Sequence, residues 1–232
     1  MCFAFGGCGH AQHFVVVEIA LLDSTVFDVE VVEDRSGEAE DNPWFDPCLD
    51  IVRCRDIGAA SELEINDVTR RIVPCNLKAT AFADHGEVIE KDGADSFPIN
   101  SGKCIRFHDL ANIDFTGPSA RPIISLLSAE PYVLPLTLRM VERHPLGSQA
   151  FYPLSGNPFL VIVCDDENGT PVNPRAFVTA PGQGVNIRRG VWHGVLTPLG
   201  EQSDFIVVDR GGEGDNLQEH VFDEPYVIEP PA

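Results

Sequence analysis

Two short stretches hold most of the residues that could do chemistry. The first is Glu142-Arg143-His144 followed by Gln149, and the second runs from Gly184 to His193 through Asn186, Arg188, Arg189 and Gly190. A carboxylate, two imidazoles and an amide offer oxygen and nitrogen donors that suit a divalent cation. The same imidazoles and carboxylate can move protons near neutral pH. Arg189, beside the turn at Gly190, is the first candidate to grip an anionic substrate, and Arg175 is the second. Asn186, on the same Gly-rich stretch, is a third candidate contact for the substrate.

Those side chains need elements that aim them at one point. On a strand, residues two apart share a face, so Glu142 and His144 point together and Arg143 points away. A turn at Pro145-Leu146-Gly147 returns Gln149 beside them on the next strand. Short β-type runs recur from Ile123 onward. They are Ile123–Leu127, Leu136–Arg143, Gln149–Tyr152, Phe159–Cys164, Ala176–Thr179, Gly184–Ile187, Trp192–Leu196 and Phe205–Asp209, with Gly, Pro, Asn and Asp between them. Many short strands at this spacing predict a mainly β, antiparallel sandwich or barrel. Asn76 is read as the cap of a short helix, Leu77 to Asp84, with Gly86 just past its end. Asp209-Arg210-Gly211-Gly212 reads as a salt-bridged turn, and the end from Ile228 as a loose tail.

Composition narrows the function. Sixteen basic side chains face thirty-six acidic ones, for a formal charge of −20. Such a chain repels phosphate backbones and anionic lipid, which argues against nucleic-acid and membrane-surface partners. No apolar run approaches the ~18 residues of a membrane span. Seven scattered cysteines without a CxxC pair read as reduced thiols in a cytosol, so a cytoplasmic protein is expected. Residues 1–70 carry four basic and fifteen acidic side chains and read as an acidic, partly irregular extension with one strand, Phe14–Leu22. Residues 71–232 form the expected folded domain.

The spacing Glu142, His144, Gln149 and then Gly190 to His193 resembles the two halves of the cupin signature. Glu142 stands where that family has its first His, and Gln149 where it has Glu. The resemblance implies a cupin-like β-barrel with Glu142, His144, Gln149 and His193 converging as metal ligands at its mouth. It narrows further on Leu134-Pro135-Leu136-Thr137, Glu142 through Phe151, Arg175-Ala176-Phe177, Gly184-Val185-Asn186, Val191-Trp192-His193 and Asp209-Arg210-Gly211-Gly212. Together these look like the ureidoglycolate lyase family of the cupin superfamily. The resemblance covers about residues 72–228, and Phe82 to Glu90 is similar to the family's opening helix and strand. It implies cleavage of (S)-ureidoglycolate to glyoxylate and urea in allantoin degradation, with catalytic Glu142, His144 and His193, a divalent metal (Ni, Mn or Zn), and a homodimer. A metal-dependent dioxygenase and a non-catalytic small-acid-binding cupin are the alternatives that the residues leave open.

Overall fold

A computed structural model of the chain describes residues 70–231. The expected acidic extension, its strand Phe14–Leu22 included, lies outside the described residues. Among these, no helix is long and apolar enough to cross a membrane.

The described chain is mainly β. Its strands are β1 (Arg71–Ile72), β2 (Cys75–Asn76), β3 (Gly86–Ile89), β4 (Ser96–Ile99), β5 (Cys104–Phe107), β6 (Arg121–Ala129), β7 (Leu136–Arg143) and β8 (Gln149–Pro153). They continue with β9 (Phe159–Glu167), β10 (Thr170–Val178), β11 (Gly184–Ile187), β12 (Trp192–His193), β13 (Thr197–Pro198), β14 (Ser203–Gly211) and β15 (Gln218–Ile228). A first sheet runs β1-β15-β7-β12-β9-β10-β2, with β13 also on β9; a second runs β3-β11-β8-β14-β6; and β4 and β5 pair by themselves as a two-stranded sheet. All the longer pairings are antiparallel, and only the two-residue edge strands β1 and β2 join in parallel.

The two sheets face each other as a cupin-like barrel. Phe159 of β9 meets Phe205 of β14 edge to face, with ring centroids 5.2 Å apart, and both rings are buried. Phe151, Val185 and Val207 line the same interior from the second sheet, as strand alternation requires. On the other face of the first sheet, Leu160, Ile162, Cys164, Ala176 and Trp192 pack with Val141 and Ile228 in a separate apolar cluster. Even and odd residues of β9 therefore serve two different cores.

Three local expectations need correction. The helix is a single turn, α1 (Ala79–Phe82), and Lys78 at its start makes no side-chain cap. Sheet bonding takes the preceding residues: Asn76 pairs with Val178, and Leu77 N–H donates to Val178 O at 2.8 Å. The run Trp192–Leu196 is no single strand, since β12 stops at His193 and β13 starts at Thr197. The end is not loose at its start, because Ile228 closes the eleven-residue β15, paired with Leu136 of β7, and Glu229 N–H donates to Ile72 O at 2.8 Å. Charges, Pro225 and a register shift between Val221 and Tyr226 interrupt its apolar alternation.

Candidate active site

Pairing across the first sheet lines up one row of residues. Glu142 on β7 sits opposite His193 on β12, His193 opposite Val163 on β9, and Val163 opposite Arg175 on β10. Directly paired residues share a face, so this row points into the barrel. Arg143 and Trp192 point the other way and stack, the guanidinium 4.3 Å from the indole ring centre. The Arg143 fork also holds Gln218 at 2.7 Å and Asp166 at 2.6 Å.

His144 lies one residue past β7, in the turn that leads to Gln149. Three bonds fix this turn. Leu146 N–H donates to Asn216 Oδ1 at 2.8 Å, Thr116 N–H to Leu146 O at 2.9 Å, and Gly190 N–H to His144 O at 2.9 Å. Gly147 leaves no room for a side chain, because a Cβ there would stand 2.6 Å from that of Arg210. Gly190 takes a φ of 81°, which glycine adopts at least cost, and so turns the chain toward Trp192-His193.

The result is a cluster in which ligand-type atoms of Glu142, His144 and His193 all lie within 4.8 Å of one another. His144 Nε2 is 3.9 Å from Glu142 Oε1, and the two imidazole centres are 5.2 Å apart. Each ring is anchored through Nδ1. His144 Nδ1 meets Asn216 O at 2.6 Å, and His193 Nδ1 meets Gly194 O at 3.0 Å. A carbonyl can only accept, so both Nδ1 atoms carry hydrogen and both Nε2 atoms turn inward. Both Nε2 atoms are buried without a partner, as is Gln149 Oε1.

Electrostatics separates the members. Burial pulls the His193 pKa down to about 4, His144 adds to the fall, and the Gly194 carbonyl resists it. His193 is therefore neutral at pH 7 and offers a lone pair. Burial raises the Glu142 carboxyl above its usual range; His144 opposes the rise and Glu219 adds to it.

Sequence reasoning missed two neighbours. Asp209 is no salt-bridged turn residue, since it lies within β14. Val208 pairs with Ala150, so Asp209 falls opposite Gln149; burial raises its carboxyl above the usual range, and the His144 and Gln149 side chains oppose the rise. Arg210, on the opposite face, is buried and donates to three carbonyls: Thr116 at 2.7 Å, Pro118 at 3.1 Å and Glu213 at 2.6 Å. Strand alternation within β14 was the available signal. Asn216, which anchors His144 through its backbone, had no signal in the sequence.

The structure does not bring all the expected substrate contacts to the cluster. Asn186 pairs with Ala150, and so faces away from the interior that Val185 and Ile187 line. Its amide is held by Glu87 at 2.7 Å and by Asn112 O at 3.0 Å. Arg189 is exposed and bonds Asp114 at 2.7 Å. Arg175 shares the row of His193, two strands away, which corresponds to roughly 10 Å. One of its nitrogens holds Asp165 at 2.6 Å, while its Nε is buried and unpartnered. Cys164 points into the outer apolar cluster, and burial pushes its thiol up to about 12, so it supplies no thiolate.

The donor set fits a divalent cation: two imidazole lone pairs, a carboxylate and an unpartnered amide oxygen. It fits proton transfer equally well, through Glu142 and His144.

Comparison with known proteins adds an independent line. The family model described as ureidoglycolate lyase matches residues 69–229. Ureidoglycolate lyase 2 of Rhizobium meliloti (strain 1021) is 63% identical over 153 residues, spanning 66% of this chain and 94% of its own. The ureidoglycolate lyase of Chelativorans sp. (strain BNC1) is 60% identical over 162 residues, spanning 70% of this chain and 98% of its own. That of Mesorhizobium japonicum is 56% identical over 161 residues, 69% of this chain and 99% of its own.

Proposed function

The chain belongs to the ureidoglycolate lyase family, and from that membership we propose that it cleaves (S)-ureidoglycolate to glyoxylate and urea in allantoin degradation. The observation that supports the reading best is the meeting of Glu142, His144 and His193 within 4.8 Å, both Nε2 atoms free to act.

One carbon of the substrate bears a hydroxyl, a carboxylate and a ureido nitrogen. Glu142 takes the hydroxyl proton, a role its burial favours by making the carboxylate a stronger base. The oxygen electrons form the new carbonyl as the C–N bond breaks toward nitrogen. His144, with Nδ1 donating to Asn216 O, receives that proton at its Nε2 lone pair and delivers it to the ureido nitrogen. Glu142 Oε1 and His144 Nε2 lie 3.9 Å apart along this path, and both groups end as they began. His193, neutral through burial, accepts a hydrogen bond from the substrate and gives up no proton.

Where a divalent cation (Ni, Mn or Zn) is bound, Glu142, His144, Gln149 and His193 are its ligands, and it supplies Lewis acidity to the substrate hydroxyl and carboxylate. Arg175 takes the substrate carboxylate in preference to Arg189, since its Nε is buried, unpartnered and in the row of His193. Asn186 keeps β11 bonded to β3 and the 112 loop instead of touching substrate.

The catalytic unit is residues 71–232, which the start of the family match at residue 69 supports, and residues 1–70 are an acidic appendage. We extend the reading to a cytoplasmic homodimer without nucleic-acid or membrane partners. The net charge of −20 supports the missing polyanion partners, and the adjacent exposed Ile124 and Leu126 on edge strand β6 support self-association.

Glu142→Gln and His144→Ala test the assignment. Each is expected to lower kcat by about 100-fold or more while the protein stays folded, as loss of a positioned acid or base does. Near wild-type turnover in both would remove the cluster from the chemistry.

A further inference from the structure

Beside the cluster, a carboxylate and an amide face each other with buried oxygens unsatisfied. Asp209 and Gln149 fall opposite each other on β14 and β8, on the face that Val207 and Phe151 turn inward. Gln149 Oε1 and Asp209 Oδ1 are both buried without a hydrogen-bond partner. A carboxylate can only accept, so it attracts the amide's Nε2 and repels its Oε1. Asp209 also feels the His144 imidazole. The two ends of an amide have nearly the same size, so a neighbour must decide which end looks inward.

We propose that Asp209 is a positioning residue that fixes the Gln149 amide with its carbonyl oxygen toward Glu142, His144 and His193. Gln149 then serves there as an acceptor or neutral ligand and never as a donor. A cation or a substrate N–H meets an oxygen at that corner, whereas a reversed amide would repel the first and leave the second unpaired. The consequence for turnover rests on the lyase reading; the orientation of the amide does not.

Asp209→Asn in the full-length protein keeps the shape and lets the two amides pair in either sense. In the protein alone, the Gln149 side-chain NH2 resonances, assigned by their loss in Gln149→Leu, are expected downfield and slow to exchange. Both properties should disappear in Asp209→Asn. Turnover of ureidoglycolate by Asp209→Asn is expected to fall about 10–100-fold in kcat/KM, the usual cost of losing an outer partner of a site ligand. In a Gln149→Leu background the same substitution should change kcat/KM less than about two-fold, because no amide is left to orient. Gln149→Glu sets two carboxylates side by side; adding Asp209→Asn restores one carboxylate–amide bond with reversed polarity and should recover about 10-fold. Unchanged amide resonances in Asp209→Asn would overturn the proposal. So would an undiminished effect of Asp209→Asn in the Gln149→Leu background, which would give Asp209 a role of its own. If the wild-type protein turns over no ureidoglycolate, the lyase reading fails, while the amide resonances still decide the positioning.

Discussion

His193 makes the stability of the protein depend on pH in a calculable way. Its ring is fully buried, its Nε2 has no partner, and its pKa is drawn from the ordinary 6.5 to about 4. Between those values the unfolded chain binds a proton at His193 that the folded chain refuses. Stability therefore falls as the pH falls through this window, by at most ~1.4 kcal/mol per pH unit, and His193 adds nothing to the slope above it. At pH 5 the deficit relative to pH 7.5 is about 2 kcal/mol, and the full penalty below pH 4 is on the order of 3 kcal/mol. Urea denaturation of wild type and His193→Gln, with a chelator present, reads the difference. Wild type should lose about 2 kcal/mol more than the variant between pH 7.5 and pH 5, since glutamine does not titrate. Profiles that stay parallel to within about 0.5 kcal/mol would refute a neutral, buried His193.

Other perturbations separate the roles assigned above. Arg175→Ala should raise KM by about 10–100-fold through loss of a charge-assisted bond, while Arg189→Ala leaves KM within about two-fold, and steady-state kinetics distinguish them. Arg210→Ala removes a buried guanidinium that ties three loop carbonyls together and should lower stability by about 2 kcal/mol, measured by urea denaturation. Phe205→Ala opens a void against Phe159 and should cost about 3–5 kcal/mol in the same assay. Activity lost on chelation and restored by one of Ni, Mn or Zn would assign the cluster to a metal; activity indifferent to chelation would assign it to proton transfer.

The legible part of the site was the part governed by local spacing. Period-two alternation places Glu142 opposite in sense to Arg143, and the Pro145-Leu146-Gly147 turn returns the chain at Gln149, as strand β8 does. Gly190 marks the turn before His193 because its positive φ leaves a residue-type signature. What depends on register between distant strands was not legible. Arg189 is near His193 in sequence but bonds Asp114, whereas Arg175 shares a row with His193 through β9. Asp209 and Arg210 look like a salt-bridging pair, yet alternation within β14 sends one toward Gln149 and the other to three carbonyls. β15 hid behind its charges and Pro225 because pairing with β7, and no apolar pattern of its own, makes it a strand.

Cleavage chemistry itself is tested most directly by product analysis. Purified full-length protein is given each enantiomer of ureidoglycolate, and urea, glyoxylate and ammonia are measured together. Urea and glyoxylate in equal amounts from the (S) enantiomer, with no ammonia, are expected. Release of ammonia, or no product above background from either enantiomer, would contradict a carbon–nitrogen lyase built on Glu142, His144 and His193.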